Sequence, residues 1–295
     1  MPGGSSRWYM PHILKRYALD GLMLLPLCLF LLVFTALPLL SCIALSFTEA
    51  GSQLFPSWDN YRALFRDRQF LLALRNTLWL TGLGVSLQLV VGLGVAMILH
   101  TLVLGRGLVR TIVLIPLGVP TIVAGVMFTY LFGSAGYLNE LLSRLGVITT
   151  PIDWTQGDWL SLGVLLVADL WKVTPLMTLI LLAGLETIPD AALEAAAVDG
   201  ATGWRRFWYI TLPLLRPALT MALIVRAIDA FRIFELPLIL TGKSTPVLGT
   251  LAYSEFYEYD NPFTSAAAAT LLMGLIAICL MSYLGLVARR DVEAR

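Results

Sequence analysis

Residues 194–217 read EAAAVDGATGWRRFWYITLPLLRP, and they interrupt a chain that is otherwise largely apolar. Long apolar runs flank the stretch at 160–185 and 218–240, so its placement separates what crosses a bilayer from what stays outside. Asp190 to Asp199 is rich in Ala and Glu and favours helix. Gly200 then permits a backbone turn, and Thr202 can cap a second segment running to Tyr209. In that segment Trp204, Phe207, Trp208 and Thr211 share one face while Arg205, Arg206 and Tyr209 share another, the pattern of a helix lying along a surface. Leu212, Pro213 and Pro217 turn the chain back toward the membrane. On the first segment Ala192, Ala195 and Ala196 let another backbone approach closely, and Glu194 offers an anchor for a cation.

The 295 residues are 58% hydrophobic and 13% charged, with a mean hydropathy of +0.81. Soluble domains average roughly 45–50% apolar and ~25% charged, so this is an integral membrane protein. Apolar runs near the ~20 residues needed to cross a core about 30 Å thick occupy about 22–47, 76–99, 111–132, 160–185, 218–240 and 265–288. They predict an all-α polytopic protein with about six transmembrane helices, a single transmembrane domain over 1–295, and a loop at 186–217. The first run exceeds the roughly 7–15 residues of a signal-peptide core, and it reads as a retained span. Lys and Arg concentrate on alternate connections, with Arg7, Lys15, Arg16, Arg106, Arg110, Arg205, Arg206, Arg216, Arg289, Arg290 and Arg295 on the richer side. The positive-inside rule then places both termini and the 194–217 loop in the cytoplasm, although Arg62, Arg66, Arg68 and Arg75 make 48–75 basic for an outer connection. Trp58, Trp154 and Trp159 are expected to anchor outer helix ends, as are Trp8, Tyr9 and Tyr17 ahead of the first span. Pro26, Pro38, Pro116, Pro120, Pro175 and Pro237 lie within spans and predict bent or broken helices.

Catalysis lacks its parts. Cys28, Cys42 and Cys279 have no second ligand at metal spacing, and His12 and His100 stand apart from any nucleophile motif. The TGKS at 241–244 lacks the upstream glycine of a phosphate-binding loop. A net charge of +1 without a basic stripe excludes nucleic acid as a partner. The chain is therefore expected to be a non-enzyme with no metal or cofactor of its own.

Charge inside the spans demands a reason, because one charged residue at a helix centre costs roughly 2.5–3.5 kcal/mol on insertion scales. The fourth span carries Asp169 and Lys172, and the fifth carries Arg226, Asp229, Arg232 and Glu235. Their signs alternate every three residues, which predicts pairing along each helix. Two readings stay open: structural ion pairs at helix interfaces, or a polar pathway near mid-membrane. An ion-coupled secondary transporter would use these groups as a relay, but the halves show no inverted repeat. A scaffolding membrane protein would use the loop alone.

The 194–217 stretch resembles the EAA signature of permease subunits from binding-protein-dependent ABC importers, with Glu194, Ala195, Ala196, Asp199, Gly200, Ala201, Ile210, Leu212, Pro213 and Pro217 in matching places. WDNYRALF, RNTLWLT, GRGLVRTIVLIPLGVP, WKVTPLMTLILLAGLETIP and RAIDAFRIFELPLILTG extend the similarity to maltose- and trehalose-type sugar permeases; TGKSTP departs from the family's usual TGGGP. The resemblance implies a coupling-helix pair, including Arg205, that docks in a cleft of a cytoplasmic ATPase. It implies a second homologous permease subunit, two ATPase copies holding ATP and Mg, an extracytoplasmic binding protein, and residence in a bacterial or archaeal cytoplasmic membrane. It also implies a sugar site on the helices flanking the loop, at Lys172, Arg226, Asp229 and Ile233, with Asp169, Arg232 and Glu235 along the same pathway. Trehalose, sucrose, glucosylglycerol, maltodextrins and glycerol phosphates all fit that expectation.

Overall fold

The computed structural model describes residues 22–49, 51, 54–102 and 104–293. The expectations for Arg7, Trp8, Tyr9, His12, Lys15, Arg16, Tyr17 and Arg295 lie outside the described residues. Within them the chain is helical and has no strand. In order come α1 (Leu22–Ser46), α2 (Asp59–Arg66), α3 (Arg68–Thr101), α4 (Arg106–Gly118), α5 (Thr121–Phe132), α6 (Tyr137–Arg144) and α7 (Asp158–Glu186). They are followed by α8 (Asp190–Val198), α9 (Gly203–Leu214), α10 (Arg216–Phe231), α11 (Glu235–Leu240), α12 (Leu248–Tyr257) and α13 (Pro262–Glu293). Among the described residues α1, α3, the stretch 121–144, α7 and α13 are long and apolar enough to cross a membrane; α9 and α10, bent by 67°, can supply a sixth crossing.

Two expected spans are broken, each for a local reason. The run 111–132 parts at Val119 and Pro120, because proline lacks an N–H and pushes the preceding residue out of helical geometry; Val119 has ψ 128°. The run 218–240 parts between Phe231 and Glu235, where Phe234 is thrown to φ −141°. Pro175, by contrast, sits inside the continuous α7. Wide, π-type turns at Leu32–Ala36 and Phe207–Thr211 end just ahead of Pro38 and Pro213, which absorbs the donors that proline removes.

The pair α3–α7, which runs parallel with Gly84 beside Leu166 and Gly92 beside Met177, forms the centre of the packing. Lipid is as apolar as a leucine surface, so close backbone approach through small residues holds membrane helices together. A Cβ placed on Gly92 would lie 2.9 Å from Met177, and one on Gly184 would lie 2.3 Å from the Ala218 Cβ, so α3 meets α7 and α7 meets α10 at glycines. Met177, Leu181, Leu182 and Leu215 fill the end near α8, while Leu80, Leu162, Leu165 and Leu236 fill the opposite end. A third cluster of Tyr61, Leu64, Phe70, Leu248 and Ala267 joins α2, α3, α12 and α13.

Buried amides pin the connections at the end of the bundle away from α8 and α9. Asn76 donates to the Pro246 carbonyl at 2.8 Å, and the Leu248 N–H donates to Thr77 Oγ1 at 2.9 Å. Asn139 donates to the Ile152 carbonyl at 2.7 Å and accepts from the Trp154 indole at 2.9 Å, so Trp154 is a tie within the fold. Each satisfied pair spares a buried polar group an unmet hydrogen bond, a penalty of about 1–3 kcal/mol.

Gly184→Val tests the close approach. Overpacking costs about 1–3 kcal/mol in a filled interface, so the purified assembly carrying it should melt several degrees lower. Gly163→Ala, where a Cβ meets nothing within 4 Å, should leave the melting temperature unchanged.

Candidate functional site

A cavity of about 600 Å³ opens where the broken ends of α4 and α10 face α7. Asp169, Lys172, Arg226, Asp229, Arg232, Ile233 and Glu235, all singled out from the sequence, line it together. Their expected pairing along single helices is corrected by the geometry, except for Arg226 with Asp229. Arg226, only 2% exposed, donates through Nε to Gln88 Oε1 at 2.5 Å, through one terminal nitrogen to Asp169 at 2.6 Å, and through the other to Asp229 at 2.5 Å. Gln88, fully buried on α3, donates in turn to the same Asp169 oxygen at 2.7 Å. Asp169 therefore pairs across helices with Arg226, and α3, α7 and α10 meet at one guanidinium. Gln88 was missed by sequence reasoning; its signal is a lone long amide in the apolar run 78–99.

Lys172 does not pair with Asp169 either. Its ammonium donates to the carbonyls of Pro116 and Leu117 at 3.1 Å each and of Val119 at 2.5 Å. The Leu117 and Val119 carbonyls lie where α4 stops and the Pro116 carbonyl is shared with the Val119 N–H; a cation at a helix C-terminus also meets the negative end of the helix dipole. At the other end of α4, Arg106 is ion-paired with Glu186 at the end of α7. Arg232 and Glu235 obey the same rule. Arg232 follows the C-terminus of α10 and Glu235 opens α11, so the chain break between them removes the helical spacing that would have paired them. Both are exposed and neither forms an ion pair among the described residues.

The 194–217 stretch lies at the end of the bundle away from residues 241–260. Helix α8 closes with the Ala201 N–H donating to the Ala196 carbonyl at 2.9 Å and the Gly200 N–H to Ala197 at 3.1 Å, with Gly200 at φ +75°. This is the Schellman stop, which needs a left-handed residue just past the helix and so favours glycine. Glu194, Ala195, Asp199, Gly200 and Arg205 face outward, whereas Ala196 is buried and Ala201 and Pro213 are half-buried. The expected small-residue docking surface is corrected to that extent: Ala196 packs inside the chain and only Ala195 is open to a visitor. The rings of Trp204, Phe207 and Trp208 touch one another, and Trp204 and Tyr209 stay largely exposed beside Arg205.

At the opposite end Lys243 forms an ion pair with Glu258 at 2.5 Å and sits over the Tyr259 ring. The hydrogen bond to Glu258, together with its charge, holds the Lys243 ammonium above its ordinary pKa. Among the described residues no cluster of His, Cys, Asp and Glu could hold a metal.

The sequence profile of the binding-protein-dependent transport system inner membrane component family matches residues 88–290. The chain is 39% identical over 228 residues to the trehalose transport system permease protein SugA of Mycobacterium tuberculosis, covering 76% of this chain and 72% of that one. It is 38% identical over 278 residues to the trehalose/maltose transport system permease protein MalF of Thermococcus litoralis, covering 90% and 92%. Its fold is similar to that of a chain from a bacterial alginate ABC transporter solved in complex with alginate pentasaccharide-bound periplasmic protein, with TM-score 0.79, 26% identity, and coverage of 92% and 94%.

Replacing Arg226 by Leu leaves the buried Asp169 carboxylate with only the Gln88 amide and the Gln88 Oε1 without a donor, and breaking a buried pair in this way costs about 3–5 kcal/mol. Thermal unfolding of the detergent-purified assembly should show a large loss for Arg226→Leu. Gln88→Leu, Asp169→Leu and Arg226→Leu together should recover most of it, since an apolar replacement leaves no orphaned charge.

Proposed function

Because the chain belongs to the binding-protein-dependent transport system inner membrane component family, we propose that it forms half of the pathway by which an ABC importer carries a neutral di- or oligosaccharide, of the trehalose or maltose kind, across the membrane. The observation that carries the choice of cargo is the cavity. Its three acidic groups (Asp169, Asp229, Glu235) face three basic ones (Lys172, Arg226, Arg232), a formally neutral lining rich in donors and acceptors. A neutral polyol can take charge-assisted hydrogen bonds from such groups without leaving a net charge uncompensated. Arg226 and Lys172 are committed to protein partners, so Arg232, Glu235 and the carboxylate oxygen of Asp229 that Arg226 does not take are the groups open to hydroxyls.

A second reading rests on Arg232, exposed and without an ion-pair partner. With that cation turned to the cargo, an acidic or phosphorylated sugar would be held instead.

As a member of this family, the chain works with a substrate-binding protein and an ATPase. Our reading adds a second, homologous permease subunit and two ATPase copies that hold ATP and Mg, with the 194–217 loop and both termini on the cytoplasmic side. Glu194, Asp199, Arg205 and the exposed aromatic face of Trp204 and Tyr209 then dock in the ATPase. Closure of the ATPase pair pushes on α8 and α9, and α7 and α10, which flank that loop, carry the motion to the cavity. Loaded binding protein and ATP must favour the same state of the assembly for the two to be coupled. The intramembrane charges need no relay role in this scheme.

The test is ATP hydrolysis by the complete complex in lipid vesicles with its binding protein and a panel of trehalose, maltose, sucrose, glucosylglycerol and glycerol phosphate. Stimulation by one neutral sugar, lost in Glu194→Ala while the complex still assembles, is the expected result. Stimulation by glycerol phosphate alone would favour the second reading, and wild-type stimulation in Glu194→Ala would remove that residue from the lever.

A further inference from the structure

A second cavity, of about 250 Å³, lies beyond the central one at the end of the bundle opposite α8 and α9. Helix α11 is the partition between them: Leu236 lines the central cavity and Leu238 the outer one. The outer cavity is below the roughly 300–1,000 Å³ of pockets that hold drug-sized ligands, a space suited to a single sugar ring. Its wall combines two tyrosine rings, Tyr253 and Tyr259, with the Gln69 amide, the Ser254 hydroxyl and the Lys243–Glu258 ion pair. Gln69 makes no side-chain hydrogen bond among the described residues, and Ser254 spends its proton on the Leu251 carbonyl while keeping its acceptor sites. A flat apolar face edged by acceptors and donors matches a pyranose, whose C–H face is apolar and whose rim is hydroxyl.

The rings continue out of this cavity in both directions. Tyr253 stands 5.2 Å from Phe234, which lines the central cavity, and stacks on Tyr257 at 4.8 Å with planes 28° apart. Tyr257 meets Phe256 at 5.3 Å, and both are more than half exposed at the mouth. Four rings in unbroken contact thus run from the surface to the central site. The inner rung is set by the fold: a Cβ on Gly249 would lie 3.0 Å from the Ile233 carbonyl, so α12 presses directly on the break that carries Phe234.

We propose that the outer cavity is a transit subsite for one neutral sugar ring, stacked on Tyr253 and passed along Phe234 into the central cavity. The proposal rests on the sugar-import reading above. A surface built only to dock the binding protein would have no use for a rung that opens into the central cavity, which is why the cargo is the favoured occupant.

The experiment uses the complete complex in vesicles with its binding protein and labelled trehalose, comparing the native chain with Tyr253→Leu, Tyr253→Phe and the exposed-rung variant Tyr257→Leu. Two quantities are read: trehalose carried per ATP hydrolysed, and the binding-protein concentration giving half-maximal ATPase stimulation. Loss of one aromatic contact should lower the first by about threefold or more in Tyr253→Leu, with Tyr253→Phe near wild type and the second quantity unchanged. Tyr257→Leu gives the same readout should Tyr253→Leu fail to assemble. A higher half-stimulating concentration with unchanged trehalose per ATP would make the patch a docking surface and overturn the proposal. No change in either quantity would also overturn it. Failure of the import reading itself would show first in the native chain, as no coupled uptake of trehalose or maltose.

Discussion

Everything near the middle of this membrane bundle depends on one guanidinium. Burying the Arg226 guanidinium without partners would carry a cost that no local packing could offset. Gln88 and Asp169 supply those partners from α3 and α7, and Asp229 adds one from its own helix. The planar fork fixes the angles at which all of them must stand. Three helices that lipid alone would leave indifferent to one another are thereby held in one rotational setting, and the glycine contacts at Gly92 and Gly184 then bring their backbones close. The cavity lies beside this knot, and Asp229, 60% exposed at its side chain, is the partner most open to it.

The remaining intramembrane charges follow a second constraint, the unpaired groups at helix ends. Each break in a span leaves carbonyls on one side and N–H groups on the other. Lys172 answers the carbonyls of α4, Arg232 stands at the C-terminus of α10, and Glu235 stands at the N-terminus of α11. The breaks and the charges are therefore one design: irregular backbone at membrane depth is tolerated where it lines a polar cavity, and here the cavity is lined by the side chains that satisfy it.

The helical class, the flanking spans, the turn at Gly200 and the six charged residues of the cavity were legible in the sequence because each leaves a one-dimensional mark: apolar length, a glycine between helix formers, or a charge where lipid forbids it; Ile233 came only from the resemblance. Partners were not. The alternation of sign at three-residue spacing suggested pairs within a helix, whereas Asp169 and Arg226 are 57 positions apart. Only the packing of α3, α7 and α10 brings Gln88 to them. Both breaks had a proline to announce them: Pro120 at the first and, at the second, Pro237, which lacks the N–H and crowds the carbonyl of Ile233 four residues back. Burial of Ala196 was hidden, since an alanine stripe looks alike whether its neighbour is foreign or its own chain.

Helix α4 is tied to α7 twice, by Lys172 at its C-terminus and by Arg106 with Glu186 at its start. A rod fastened to another at both ends can neither slide along it nor pivot from it. Mechanically the two helices are a single girder, running from the doorstep of α8 to the rim of the central cavity. Its stiffness comes from helix-end carbonyls and one ion pair. A displacement imposed at one end of such a girder is passed toward the other through protein contacts rather than through the lipid around it.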